Sequence, residues 1–264
     1  MRLALDIAAL TVVLLIVHEA FRRSGSWLAW LAFFVLPIAL TPHWISVNEF
    51  GLFAWAKLYT VLFSAFWLAA LRFTAFGRQP WARAGLTVLF ALNILEAVAV
   101  DFGAARPLTL MNAFAGLLLI ATLPRFASAV CLDTNRFRDL HYHGLGRTWI
   151  VGFTIWNWTF LLLNYPVIAG HHLAVLGATL LVGLIDTRRW FQARCYILAA
   201  DLIALATFRD TLVPRLDTSH WSGSRLALVA GVAAVAVASM SCGALRHRFH
   251  SASGEVNNIR PEVS

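Results

Sequence analysis

Apolar runs of about 17–20 residues recur along the whole chain, and each can cross the ~30 Å hydrocarbon layer of a bilayer as a helix rising about 1.5 Å per residue. No other feature restricts the fold so sharply. Sixty per cent of the 264 residues are hydrophobic and 13% are charged, against about 25% charged in an ordinary soluble domain. Water cannot hide that much apolar surface, so the natural solvent is lipid. Ten-residue segments of alternating polarity are absent, which argues against an outer-membrane barrel.

The spacing predicts an all-α fold, a polytopic transmembrane helical bundle of about nine spans over residues 1–245. The spans fall at Leu3–Val17, Trp27–Thr41, Gly51–Leu71, Ala84–Phe102, Leu108–Leu123, Thr148–Val167, Leu173–Ile185, Trp190–Phe208 and Leu226–Leu245. Residues 246–264 form a polar cytoplasmic tail whose composition predicts disorder. Arg22 and Arg23 follow the first apolar run instead of preceding it. That order points to an uncleaved anchor with an outside N-terminus. The longest polar connection is 125–147.

Arginine distribution supports this topology. With the N-terminus outside and the C-terminus cytoplasmic, fourteen arginines fall on the inner side: 22, 23, 72, 78, 83, 125, 136, 138, 147, 188, 189, 246, 248 and 260. Five (2, 106, 209, 215 and 225) fall outside. The asymmetry is that of the positive-inside rule and supports the span count. The net charge of +8 therefore records orientation and does not call for nucleic acid. The three cysteines are scattered and suggest no disulfide framework.

Ionisable groups inside spans are costly, at about 2.5–3.5 kcal/mol each on insertion scales, and they tend to mark function. Lys57, the only lysine, lies roughly 9 Å below the outer end of the third span, and Glu96 lies roughly 9 Å below the outer end of the fourth. The two spans are consecutive and antiparallel, so an ion pair is expected. Asn93, Asn157 and Asp201 are expected to add polar contacts, with Trp156 and Trp158 flanking Asn157. Together these seven residues form the predicted outer-half substrate-binding pocket. Arg194 is expected to snorkel to the inner boundary, and Asp101 to be interfacial and solvated. His171 and His172 fall in an outer loop, away from the inner histidines, which discounts a single histidine-box metal centre. No P-loop, dinucleotide fingerprint, nucleophile elbow or zincin motif occurs, and no metal or cofactor is implied. Phe53-Ala-Trp-Ala-Lys-Leu-Tyr59 and Trp190-Phe-Gln-Ala-Arg-Cys-Tyr196 share the pattern Ala-basic-x-Tyr, which suggests an inverted repeat of the transporter kind.

The segments Asn93-Ile-Leu-Glu-Ala-Val, Thr154-Ile-Trp-Asn-Trp-Thr and Leu163-Asn-Tyr-Pro166 resemble an uncharacterised family of bacterial multi-pass membrane proteins. The resemblance implies a bacterial inner-membrane setting and supplies no activity. The residues themselves point first to a protein that binds or transports a small polar or charged solute, with Lys57–Glu96 as the switchable pair. A second reading is an intramembrane enzyme on an isoprenoid-like, lipid-soluble substrate, with Glu96 as general acid and Trp55, Trp156 and Trp158 as its aromatic walls. A third is a structural or signalling subunit. The lipid bilayer is the expected partner in all three, and none fixes an oligomeric state.

Overall fold

The computed structural model describes residues 2–124 and 129–221. Among them are nine helices and one short β-hairpin. The helices are α1 (Arg2–Arg23), α2 (Ser26–Val47), α3 (Leu52–Phe73), α4 (Pro80–Ala104), α5 (Pro107–Ala121), α6 (Arg147–Asn164), α7 (Pro166–Ile185), α8 (Trp190–Thr207) and α9 (Arg209–Arg215). Five of these, α1, α2, α3, α4 and α7, are long and apolar enough to cross a membrane. The predicted ninth span and polar tail lie outside the described residues.

Much of the apolar surface faces outward. Leu5, Val12, Val13 and Ile16 on α1, Ile38 and Ile45 on α2, and Val88 and Leu92 on α4 are exposed. A helix in water turns such residues inward. Contiguous exposed apolar faces of this kind mark contact with lipid or a partner, and with the long apolar helices they describe a membrane-embedded bundle.

Helix boundaries follow from local chemistry. Inside α2, residues Leu31–Val35 form a π turn just before Pro37. Proline has no N–H to donate and crowds the carbonyl four residues earlier, and a widened turn absorbs both faults. The α4–α5 hairpin turns on Ala105, a left-handed helix cap at φ 50°. Pro107 then starts α5, where its missing N–H costs nothing.

Two connections differ from the sequence expectation. The span predicted over 148–167 stops at Asn164, because Pro166 pushes Tyr165 out of the helical region. With a single residue between them, α6 and α7 form a tight corner. Residues 168–172, expected as an outer loop, are the first turns of α7. The polar connection at 125–147 contains a two-stranded antiparallel hairpin, β1 (Val130–Leu132) with β2 (Leu140–Tyr142), in which Cys131 pairs with His141. All three residues of β2 are buried.

The core is arranged around α8. Every residue from Trp190 to Ala199 is buried, since α1, α2, α3, α7 and the hairpin all pack on this helix. Aromatic rings fill the space beside it. Phe90 of α4 meets Trp149 and Phe153 of α6 and Trp190 and Phe191 of α8, with ring centroids 4.8–6.0 Å apart. Edge-to-face packing of this kind is favourable beyond simple area burial. It sets α4 and α8 apart at a fixed distance, and the candidate site lies between them.

Candidate functional site

Lys57 leaves α3 and meets Glu96 on α4, with Nζ 3.2 Å from Oε2. Nζ also donates to the backbone carbonyl of Asn93, at 3.0 Å. That carbonyl lies one turn before Glu96, so the ammonium spans a full turn of α4. Thr60 sits one turn along α3 from Lys57. Its single hydroxyl proton can go to the Lys57 carbonyl at 3.2 Å or to Glu96 Oε2 at 3.3 Å. Both charged side chains keep 21% of their surface exposed, so the pair is held but reachable.

Behind the pair is a cavity whose water-accessible space is about 30 Å³, room for one or two waters. It is lined by Val61 and Ser64 of α3, Phe90 and Asn93 of α4, and Phe191, Arg194, Cys195 and Leu198 of α8. Asn93 therefore belongs both to the ion-pair site and to the cavity wall.

Arg194 corrects the sequence expectation. It does not snorkel to a boundary but is buried, at 4% exposure. Its guanidinium lies over the Phe153 ring at 5.6 Å, and Nη1 finds no hydrogen-bond acceptor. Snorkelling requires one helix face at a surface, and α8 has none at this level. Asn93, whose carbonyl accepts from Lys57, lines the cavity together with Arg194. The sequence reading kept Arg194 outside the pocket whose wall it forms. The repeat pattern was the one signal pointing to Arg194.

The remaining expected residues engage other partners. Asp201 is 1% exposed and pairs with His171, Oδ1 to Nε2 at 2.7 Å. His171, expected outside, is therefore a core residue of the α7–α8 contact. Trp156 donates its indole N–H to the Asn112 carbonyl at 2.9 Å. Trp158 is half-buried, with its ring 6.5 Å from that of Trp221. Asn157 is buried and its Oδ1 has no partner. None of these four lines the cavity. Asp101 is also corrected. It is fully buried and accepts from Asn112 at 2.7 Å and Asn164 at 2.6 Å, because α5 and α6 close over the end of α4.

A second polar cluster fastens the hairpin to one end of the bundle. Asp139 is fully buried. It accepts from Arg22 of α1 at 2.9 Å, Asn135 at 3.0 Å and Gln192 of α8 at 3.1 Å. Burial alone would raise its carboxyl, but the hydrogen bonds from Asn135 and Gln192 and the Arg22 charge outweigh it and hold the group below the usual 3.8. Arg72, in the last turn of α3 and fully buried, donates to the carbonyls of Arg22, Phe137 and Arg138 and to the Tyr196 hydroxyl. Every acceptor is neutral, and the arrangement serves as a clamp. Among the described residues, no group of three or more His, Cys, Asp or Glu side chains is placed to hold a metal.

Compared with known proteins, the chain matches the model of one family over residues 3–250, a family described as "Family of unknown function (DUF5692)". The match covers nearly the whole chain, and the protein belongs to that family. No curated protein and no solved structure matches it.

Proposed function

We propose that this member of the DUF5692 family is a multi-pass protein of a bacterial inner membrane that binds or transports a small polar or charged solute at the Lys57–Glu96 pair. The observation that carries the reading is the pair itself: two ionisable groups from neighbouring apolar helices, in contact, partly exposed, and next to a cavity that Ser64, Asn93 and Arg194 help to line. Opposite charges in such a setting can be separated by a solute that offers each a new partner, or by protonation of Glu96. The arginine distribution supports a cytoplasmic location for the hairpin end and an outer location for the Lys57 end of the bundle.

The enzyme reading is weaker. It asks for Trp55, Trp156 and Trp158 beside Glu96, and Trp55 stacks on Tyr59 of its own helix, Trp156 is bonded to Asn112 and Trp158 neighbours Trp221. The test is uptake of a panel of radiolabelled carboxylates and amino acids into proteoliposomes. Lys57→Ala and Glu96→Gln should each abolish uptake of the transported compound while the protein stays folded. Normal uptake by both variants would remove the pair from the mechanism.

A further inference from the structure

We propose that Arg194 anchors a binding subsite for one compact monovalent anion, of halide or formate size, in the cavity between α3, α4 and α8. This deepens the solute-binding reading and rests on it only for its position beside the Lys57–Glu96 pair.

The cavity wall carries an uncommitted cation. Arg194 is 4% exposed, and its Nη1 is buried without an acceptor. A buried guanidinium is tolerated when its charge and its N–H groups are answered. Neither nearby carboxylate hydrogen-bonds to it, although Asp201 acts on its charge and keeps Oδ2 without a partner. Glu96 is held by Lys57 at 3.2 Å and Asp201 by His171 at 2.7 Å, and Asp201 is about 10 Å along α8 from Arg194. Stacking over Phe153 satisfies a face of the guanidinium but none of its N–H groups.

The other lining groups favour an anion over a cation. Asn93 brings an amide to the wall. Ser64 has committed its proton to the Thr60 carbonyl, at 2.7 Å, so the donors come from Arg194 and Asn93. The rest of the wall, Val61, Phe90, Phe191, Cys195 and Leu198, is largely apolar and strengthens a charge contact by lowering the local polarity. Size and charge narrow the ligand. About 30 Å³ of water-accessible space favours a halide or a one-carbon carboxylate over a longer acid. A divalent anion would bring a second charge that no free cation in the wall matches.

The experiment is thermal unfolding of the detergent-purified full chain, titrated with chloride, bromide, formate and acetate against gluconate at constant ionic strength. Chloride, bromide and formate should raise Tm saturably above gluconate, and acetate should not. Arg194→Met should weaken the apparent affinity at least tenfold. Ser64→Leu, which fills the cavity and keeps the cation, should do the same and serves if Arg194→Met does not fold. Equal melting in all the salts would show that the cavity holds only water and would overturn the proposal. An undiminished chloride shift in either folded variant would overturn it too, and an acetate shift equal to that of chloride would refute the size limit. The titration needs neither a gradient nor the transported solute. Normal uptake by Lys57→Ala with the chloride shift intact would overturn the transport reading alone, and a wild-type protein that transports but shows no chloride shift would overturn this proposal alone.

Discussion

Replacing Arg72 by methionine keeps the volume of the side chain and removes all of its hydrogen bonds. The three shortest run to the Phe137 carbonyl at 2.6 Å, the Tyr196 hydroxyl at 2.7 Å and the Arg22 carbonyl at 2.8 Å. Hydrogen bonds from a charged donor contribute about 1.5–3 kcal/mol each, so the gross loss from these three alone is about 4.5–9 kcal/mol. Part of this is regained. The methionine needs no desolvation of a charge, and carbonyls at the end of a bundle can recover water. The expected net loss is about 3–5 kcal/mol, the usual range when one member of a buried network is removed. For a chain of this size that corresponds to a Tm lowered by roughly 6–20 °C. Intrinsic tryptophan fluorescence during heating in detergent measures it. The clamp also holds the carbonyls of Phe137 and Arg138, so the hairpin should loosen. Trypsin should then cut after Arg136 or Arg138 in Arg72→Met at concentrations that spare the wild type. A variant that melts within about 1 kcal/mol of wild type and resists trypsin equally would refute the claim that Arg72 holds α1, α3, α8 and the hairpin together.

Three further outcomes are expected. Asp139, whose carboxyl is held below 3.8, contributes stability that is complete above that pH and is lost as pH falls through its lower folded value; Asp139→Asn should be less stable at pH 7 and show a shallower acid limb in a pH–Tm series, and parallel curves would refute this. Asp201→Asn should cost about 3–5 kcal/mol by leaving His171 without its charged partner, whereas His171→Leu with Asp201→Leu should recover most of that loss; a double variant no more stable than the single one would count against the pairing. At Gly116, an added Cβ would lie 2.5 Å from Val98 Cγ2 and 2.9 Å from Trp156 Cζ2, so Gly116→Val should destabilise by about 1–3 kcal/mol, and unchanged melting would show that α4, α5 and α6 give way more easily than their packing suggests.

The sequence was most informative where an argument needed only one helix and its ends. Lys57 and Glu96 could be matched in depth because Gly51 and the residues after Phe102 mark the ends of two consecutive helices. The same arithmetic placed Asp101 near an end but could not reveal Asn112 and Asn164 folding over it, since they belong to other helices. Arg194 shows the limit clearly. Its distance from the end of its own helix suggested snorkelling, yet its environment depends on which helix lies at the centre, and hydrophobicity does not distinguish a helix ringed by protein from one ringed by lipid. His171 was misplaced by the extent given to one span: Pro166 was read as lying inside a helix when it starts the next. The hairpin escaped notice because strands of three residues leave too little alternation to detect.

The burial of the first half of α8 on every side has a consequence for how the protein is made. This helix begins at residue 190, so α1 through α7 leave the ribosome before the element they surround. The last acceptor of Arg72, Tyr196, follows it by 124 residues, an interval of about 6–25 s at ordinary rates of synthesis. Through that time the earlier helices can be only a collar around an unfilled groove, with the Lys57 side of the site already built and the Arg194 side absent. Late entry of α8 closes the groove, completes the cavity and engages the clamp in one step, so a chain halted before residue 190 would present its most polar interior surface to the lipid or to the insertion machinery.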